Sequence, residues 1–313
     1  MYLEILLATS CTALTLVSFK LYIKVTTGLC KSQVCLKGKT ALITGANTGI
    51  GYETALDFAK RGARVILACR DEKRARQACN QIMKETNNTD VVYKLVDLAS
   101  FKSVRKFAED VNNTEERLDI LVNNAGAGRL GNQRTEDDLP IILQINYFSH
   151  FLLTNLLLDL LKKNPSRIVN VSAIGAKLGN IDIKTLTVYK GDSDQYITSK
   201  LCQILFTIEL SSRLQNTNVT SYSLHPGVIK TEIFRNLEAW KRRLILFLIE
   251  IFYKTAPEGA QTQIYCAIEN GLEKYSGQHF HDCKVVSRYK SARDPELAKA
   301  VWEESERIVG LTR

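Results

Sequence analysis

Short apolar runs alternate along this chain with longer amphipathic stretches. The runs fall at 40–43, 64–69, 91–96, 118–122, 167–172 and 219–225, with a last short one near Gln278. Amphipathic stretches of helical length begin near Tyr52 and follow at 72–85, 100–111, 196–215 and 257–270. Strands alternating with helices predict an α/β chain, a Rossmann-type doubly wound parallel sheet of about seven strands. Ligands of such sheets lie outside the carboxyl ends of the strands, so the residues that end each run carry the interest.

A different pattern opens the chain. Residues 2–19 are apolar over nearly the length needed to cross a bilayer, marred by Glu4 and several hydroxyl residues, and Lys20, Lys24, Lys31, Lys37 and Lys39 follow. Positive charge behind the run predicts a membrane anchor over residues 1–25 that keeps the remainder in the cytosol. A processed targeting segment is the competing reading, but the run lacks a basic lead and the arginines of a mitochondrial presequence. A second apolar run, 244–253, follows Trp240 and three basic residues and is too short to span. It suits a helix from Leu244 to Tyr253 lying at a membrane interface and roofing a pocket, and equally a helix packed on the core. The remainder reads as one catalytic domain over 36–290 and a C-terminal surface helix over 291–313, with no internal repeat.

Composition narrows the classes. Hydrophobic residues at 45% and charged residues at 24% are those of a folded globular chain, which excludes disorder. The net charge of +9 is scattered rather than striped with aromatics, so it argues against nucleic acid and for a basic membrane-facing surface or an anionic cofactor. Eight cysteines, spread from Cys11 to Cys283 without a Cys-x-x-Cys pair, predict free thiols in a reducing compartment and no metal site. His279 and His281 read as surface histidines.

Candidate chemistry gathers at the strand ends. Thr44-Gly45-Ala46-Asn47-Thr48-Gly49-Ile50-Gly51 lies between the first run and a helix. Glycines there allow positive φ and close backbone approach to a pyrophosphate, and the helix start offers free N–H groups. Arg70 ends the second run, where an arginine suits the 2′-phosphate of NADP and a carboxylate would select a free ribose hydroxyl. Asp71 is adjacent and is read as the N-cap of the next helix. Asn146 is polar in an apolar helix and needs partners. Ser172 ends the fifth run. Tyr196 and Lys200, four apart on a helix, share one face, and an ammonium beside a phenol favours the phenolate.

Together the glycine turn, Asp97 after the third run, Asn123-Asn124-Ala125-Gly126 after the fourth, Ser172 and Tyr196-x-x-x-Lys200 resemble the short-chain dehydrogenase/reductase family. The likeness covers Gly38 to about residue 285. It implies a cofactor site built from Gly45, Asn47, Thr48, Gly49, Ile50, Gly51 and Arg70, with Asp97 and Leu98 at the adenine and Asn124, Ala125 and Gly126 shaping the cleft. It also implies that Pro226, Gly227 and Val228 cover the nicotinamide, with Thr231 near the phosphates. By the same resemblance Ser172 polarises a carbonyl and Tyr196 donates the proton. Lys200 lowers the tyrosine pKa and holds the ribose, and the backbone of Asn146 links the lysine to a water path.

With Ala-Cys-Arg-Asp at 68–71, His-Pro-Gly-Val at 225–228 and the N-terminal run, the chain is similar to the membrane-bound, NADPH-preferring retinol dehydrogenases. That likeness implies NADP(H), a lipophilic carbonyl or alcohol such as retinaldehyde, and an endoplasmic reticulum membrane with the domain facing the cytosol. Self-association as a homodimer is compatible with it. Lipid aldehydes, sterol ketones and a non-catalytic membrane-tethered scaffold remain as alternatives.

Overall fold

The computed structural model describes residues 15, 18, 20, 21, 24–229 and 254–312. Its strands are β1 (Thr40–Thr44), β2 (Arg64–Cys69), β3 (Val91–Leu95), β4 (Ile120–Asn123), β5 (Ser166–Val171), β6 (Val219–His225), β7 (His279–His281) and β8 (Lys284–Val286). They form one sheet in the order β3-β2-β1-β4-β5-β6-β7-β8. β1 to β7 are parallel, and β8 pairs antiparallel with β7. The expected seven-stranded parallel sheet is therefore present, with an eighth strand added by a hairpin. A three-residue strand leaves too little apolar pattern to read from sequence.

The helices are α1 (Gly49–Lys60), α2 (Glu72–Thr86), α3 (Phe101–Thr114), α4, α5 (Leu158–Lys162), α6 (Asp192–Arg213), α7 (Ala256–Ile268) and α8 (Pro295–Ile308). Here α4 denotes the run composed of Ile141–Leu143, a π-helical segment Gln144–Phe148, and Ser149–Leu156. Successive strand residues point to opposite faces, which sorts the core into two layers. Leu42, Ile66, Leu121 and Ile168 pack with α3, α4, α6 and α8. Ala41, Ile43, Leu67, Val122 and Val169 pack with α1, α2 and α7.

Local signals fix the helix starts. Asp71 caps α2 by accepting the Arg74 N–H at 2.9 Å, and Ser100 caps α3 by accepting that of Ser103 at 3.1 Å. Thr255 and Glu258 form a capping box at α7. The helix expected at the surface from residue 291 buries Ala298, Val301, Trp302 and Ser305 along one face, and its polar face gives the sequence its charged look.

Two further expectations need comment. His279 is buried and shares a hydrogen bond of 2.9 Å with Ser223 Oγ, so only His281, half-exposed, suits a surface reading. Most of the run at 2–19, and the stretch Leu244 to Tyr253, lie outside the described residues. Among the described residues no helix is long and apolar enough to cross a membrane. The seven cysteines among them are free thiols, and no cluster of metal-ligating side chains occurs there.

Candidate active site

Beyond β1 the chain turns through Gly45 and Gly49, both at positive φ (66° and 60°), before α1 begins. Gly51 has no room for a side chain, since a Cβ would lie 2.5 Å from both Asn124 Nδ2 and Gly45 O. Thr48 supplies no side-chain cap, so the first N–H groups of α1 remain for a ligand. Thr44 Oγ1 accepts the N–H groups of Asn124 (2.9 Å) and Ala125 (3.0 Å), and Asn124 Nδ2 donates to Thr44 O at 2.8 Å. The ends of β1 and β4 are thereby locked together. Asn124 Oδ1 is left buried without a partner among the described residues. An open glycine turn, uncapped helix N–H groups and an orphaned acceptor fit the pyrophosphate and sugar of a dinucleotide. Gly45, Asn47, Thr48, Gly49, Ile50, Gly51, Asn124, Ala125 and Gly126 all belong to this junction.

At the adenosine end, Arg70 is exposed beyond β2 and makes no hydrogen bond or ion pair with the described residues. Asp71, by contrast, is committed to the Arg74 N–H. Asp97 beyond β3 accepts the Ala99 N–H through Oδ1 at 2.9 Å, and buried Leu98 lends its carbonyl to Ser149 Oγ at 2.6 Å.

Four residues meet where β4, β5, α4 and α6 converge. Tyr196 is half-buried in the first turns of α6, and its ring centroid lies 5.8 Å from Lys200 Nζ. Lys200 is buried and donates to Val171 O at 2.9 Å. A Cβ on Gly126 would come within 3.4 Å of that ammonium, so the glycine loop closes on it. Desolvation lowers Lys200 from 10.5 to about 8 and raises the Tyr196 phenol above its ordinary 10. The sequence suggested a phenolate favoured by its neighbour. In the structure burial dominates, and the phenol keeps its proton at neutral pH.

Ser172 is buried, and its hydroxyl donates to Lys200 O at 2.5 Å. The hydroxyl that the resemblance assigns to a substrate carbonyl thus has its hydrogen committed to the backbone. Asn146 lies in the π-helical segment, where Oδ1 accepts the Ala127 N–H at 2.7 Å and Nδ2 donates to Ala127 O and Ser199 Oγ. Its carbonyl accepts Gln203 Nε2 at 2.6 Å and lies 3.2 Å from His150 Nδ1.

His150 Nε2 lies 3.0 Å from Thr44 Oγ1, whose hydroxyl also has Val122 O at 3.4 Å, and His150 Nδ1 lies 3.2 Å from both Asn146 O and Gln203 Nε2. His150 is fully enclosed and burial depresses it to about 3, so it stays neutral. His150 and Gln203 were not singled out from sequence, and Thr44 only as the start of the glycine turn, because each is an ordinary residue until the fold joins them. Pro226, Gly227 and Val228 follow the carboxyl end of β6, with Val228 exposed. Thr231 lies outside the described residues.

Comparisons with known proteins bear on this arrangement. The profile of the family described as short chain dehydrogenase matches residues 39–242. Mouse retinol dehydrogenase 11 is 44% identical over 301 residues, covering 95% of each chain. Human retinol dehydrogenase 12 is 43% identical over 287 residues, covering 91% of this chain and 90% of its own. A crystal structure of a protein from Mycobacterium Paratuberculosis superposes with a TM-score of 0.73 at 28% identity, over 91% of this chain and 98% of that one. A short chain dehydrogenase from Escherichia coli CFT073, solved with NADPH, shares the fold at a TM-score of 0.63 and 23% identity, over 80% and 99%.

Proposed function

Since the chain belongs to the short-chain dehydrogenase family, and so is an oxidoreductase working with a nicotinamide dinucleotide, we propose that its cofactor is NADPH and its substrate a lipophilic aldehyde, retinaldehyde first. The observation that carries the cofactor reading is the pairing at the end of β2. Arg70 is exposed and uncommitted where a 2′-phosphate would lie, while the neighbouring carboxylate of Asp71 is spent as a helix cap. The retinoid reading is supported by the relatives named retinol dehydrogenase, aligned over nearly the whole chain. The same reading places the domain on the cytosolic side of an endoplasmic reticulum membrane, held by residues 1–25.

The nicotinamide, when bound, supplies the hydride that the carbonyl carbon receives. Tyr196 gives its phenolic proton to the carbonyl oxygen, a task that suits a phenol kept protonated by burial. Ser172 releases Lys200 O and turns its hydroxyl toward the same oxygen. Lys200, pinned by Val171 O, presents its charge to the ribose and to the phenol as its proton leaves. Asn146 holds Ala127 and Ser199, and Ser199 in turn donates to Tyr196 O at 2.7 Å, so its side chain positions the first turn of α6.

The test is initial-rate oxidation of NADPH, and separately of NADH, by the full chain in liposomes with all-trans-retinaldehyde. Turnover should prefer NADPH, fall by roughly 10³-fold or more in Tyr196→Phe, and shift toward NADH in Arg70→Glu. Equal turnover with NADH, unmoved by Arg70→Glu, would overturn the cofactor reading. NADPH binding without retinaldehyde turnover would move the substrate to lipid aldehydes or sterol ketones. Binding without turnover of any carbonyl would leave a scaffold.

A further inference from the structure

Two lysines are buried among the described residues, and only one of them, Lys200, is used above. The other, Lys254, pairs with Asp282 through a contact between Nζ and Oδ1. Its stem lies against Gly227, where a Cβ would meet Lys254 Cδ at 2.6 Å and Nζ at 3.1 Å. Gly227 also has φ 92°, so side chains are excluded there on two counts. The Lys254 N–H donates to Val228 O at 2.9 Å, and Ile229 and Lys254 form a parallel bridge. Lys254 therefore holds the loop after β6 from beneath, by side chain and by backbone.

Asp282 is fixed just as firmly. It is the first of two residues at positive φ (49°, with Cys283 at 56°) that turn β7 into β8. Although burial opposes it, the Lys254 ammonium holds the Asp282 carboxyl below the usual range. Oδ1 also accepts the Gly28 N–H at 3.2 Å. Gly28 has no space for a side chain, since a Cβ would lie 2.0 Å from Asp282 O. Two residues on, the Cys30 N–H donates to Gln261 Oε1 at 3.1 Å, on α7. The incoming N-terminal segment is thus latched to the same carboxylate that neutralises Lys254.

We propose that Lys254 and Asp282 are positioning residues, a buried strut that sets the height of the Pro226–Gly227–Val228 loop over the nicotinamide, and that Gly28 ties the N-terminal segment to it. The inference rests on the reading that this loop covers the nicotinamide. A buried ammonium stripped of its partner pulls its surroundings toward water, so breaking the pair displaces the loop that rides on the lysine stem. The reacting groups at Tyr196 lie on other elements and keep their geometry.

Full-length Lys254→Met, Asp282→Asn and the double variant Lys254→Met/Asp282→Leu test this, together with Gly28→Ala. Cofactor Kd is read from nicotinamide fluorescence without substrate, alongside Tm and steady-state rates. NADPH is used, or NADH if that is what the wild type binds. Each single variant should raise Kd and the cofactor KM about tenfold or more, with kcat at saturating cofactor within about threefold of wild type. The double variant removes both charges, so Tm should recover while Kd does not, because the loop has lost its tie. Gly28→Ala should raise Kd although it lies behind the strut. Unchanged Kd in the single variants, or a Kd restored with Tm in the double, would make the pair merely structural. Weakened cofactor binding in a protein that reduces no retinaldehyde would leave the strut standing and sink only the substrate reading.

Discussion

Tyr196 and Lys200 are set at odds by burial, which keeps the phenol protonated and brings the ammonium down to about 8. A reduction that begins by donating the phenolic proton is well served across neutral pH, whereas the reverse oxidation needs the phenolate. The lysine's charge is present below about 8 and is lost as pH rises through that value. The expected kcat/KM for aldehyde reduction is therefore level from about pH 6 to 8 and falls above, since that parameter reports groups of the free enzyme. Lys200→Met should abolish the inflection and lower kcat/KM by about 10²-fold. A profile of the same shape in the variant would assign the inflection to another group. Both residues were legible in the sequence, because four-residue spacing on a helix is a local property. His150 was not, because its partner Thr44 lies 106 positions away and nothing near it in the chain marks a buried neutral imidazole.

Between elements, the site depends on how the end of β5 is held against α6. Two bonds do this: Lys200 Nζ to Val171 O, and Ser172 Oγ to Lys200 O. They cross, so each element donates once and accepts once. Ser172→Ala removes one of the two ties, while the Lys200 carbonyl keeps its place in the hydrogen-bond ladder of α6, so stability should fall by about 0.5–1.5 kcal/mol. If the hydroxyl swings to the substrate during reduction, kcat also falls, by about 10-fold to 10²-fold and less than in Tyr196→Phe, because part of its hydrogen-bonding capacity is already used. Thermal melts with single-turnover rates separate the two effects. A lowered Tm with unchanged kcat would make Ser172 a tie between strand and helix, with Tyr196 alone serving the carbonyl. The order of strands and helices could be read from periodicity, and β6 fell at 219–225 as expected. The π-helical turn at Gln144–Phe148 could not be read. Within it the Asn146 carbonyl bonds across to Gln203 on α6, a contact between residues 57 positions apart that local periodicity does not record.

Across the whole molecule, α8 shows how far the catalytic helices lean on a distant part of the chain. Trp302 stacks on Phe206 of α6 at 5.7 Å and meets Phe151 of α4 edge-on at 4.9 Å, while Arg213 caps its outer face at 4.4 Å. Tyr147, next to Asn146, reaches Ser305 Oγ at 2.7 Å. The helices that carry Lys200 and Asn146 therefore share one aromatic core with the C-terminal helix. Its polar residues hid this in the sequence, where only the spacing of Ala298, Val301, Trp302 and Ser305 recorded the buried stripe. Trp302→Ala should cost about 3–5 kcal/mol, as expected for an aromatic truncated in a packed core. Because the cofactor binds only the folded chain, NADPH at a hundred times its Kd should return about 2.7 kcal/mol. The variant's Tm should thus lie well below wild type without cofactor and recover most of the gap with it. A Tm unmoved by Trp302→Ala would mean that α8 is an appendage after all. A Tm lowered but unresponsive to NADPH would mean that loosening this core reaches the cofactor turn, on the far side of β4, and that the two layers melt as one.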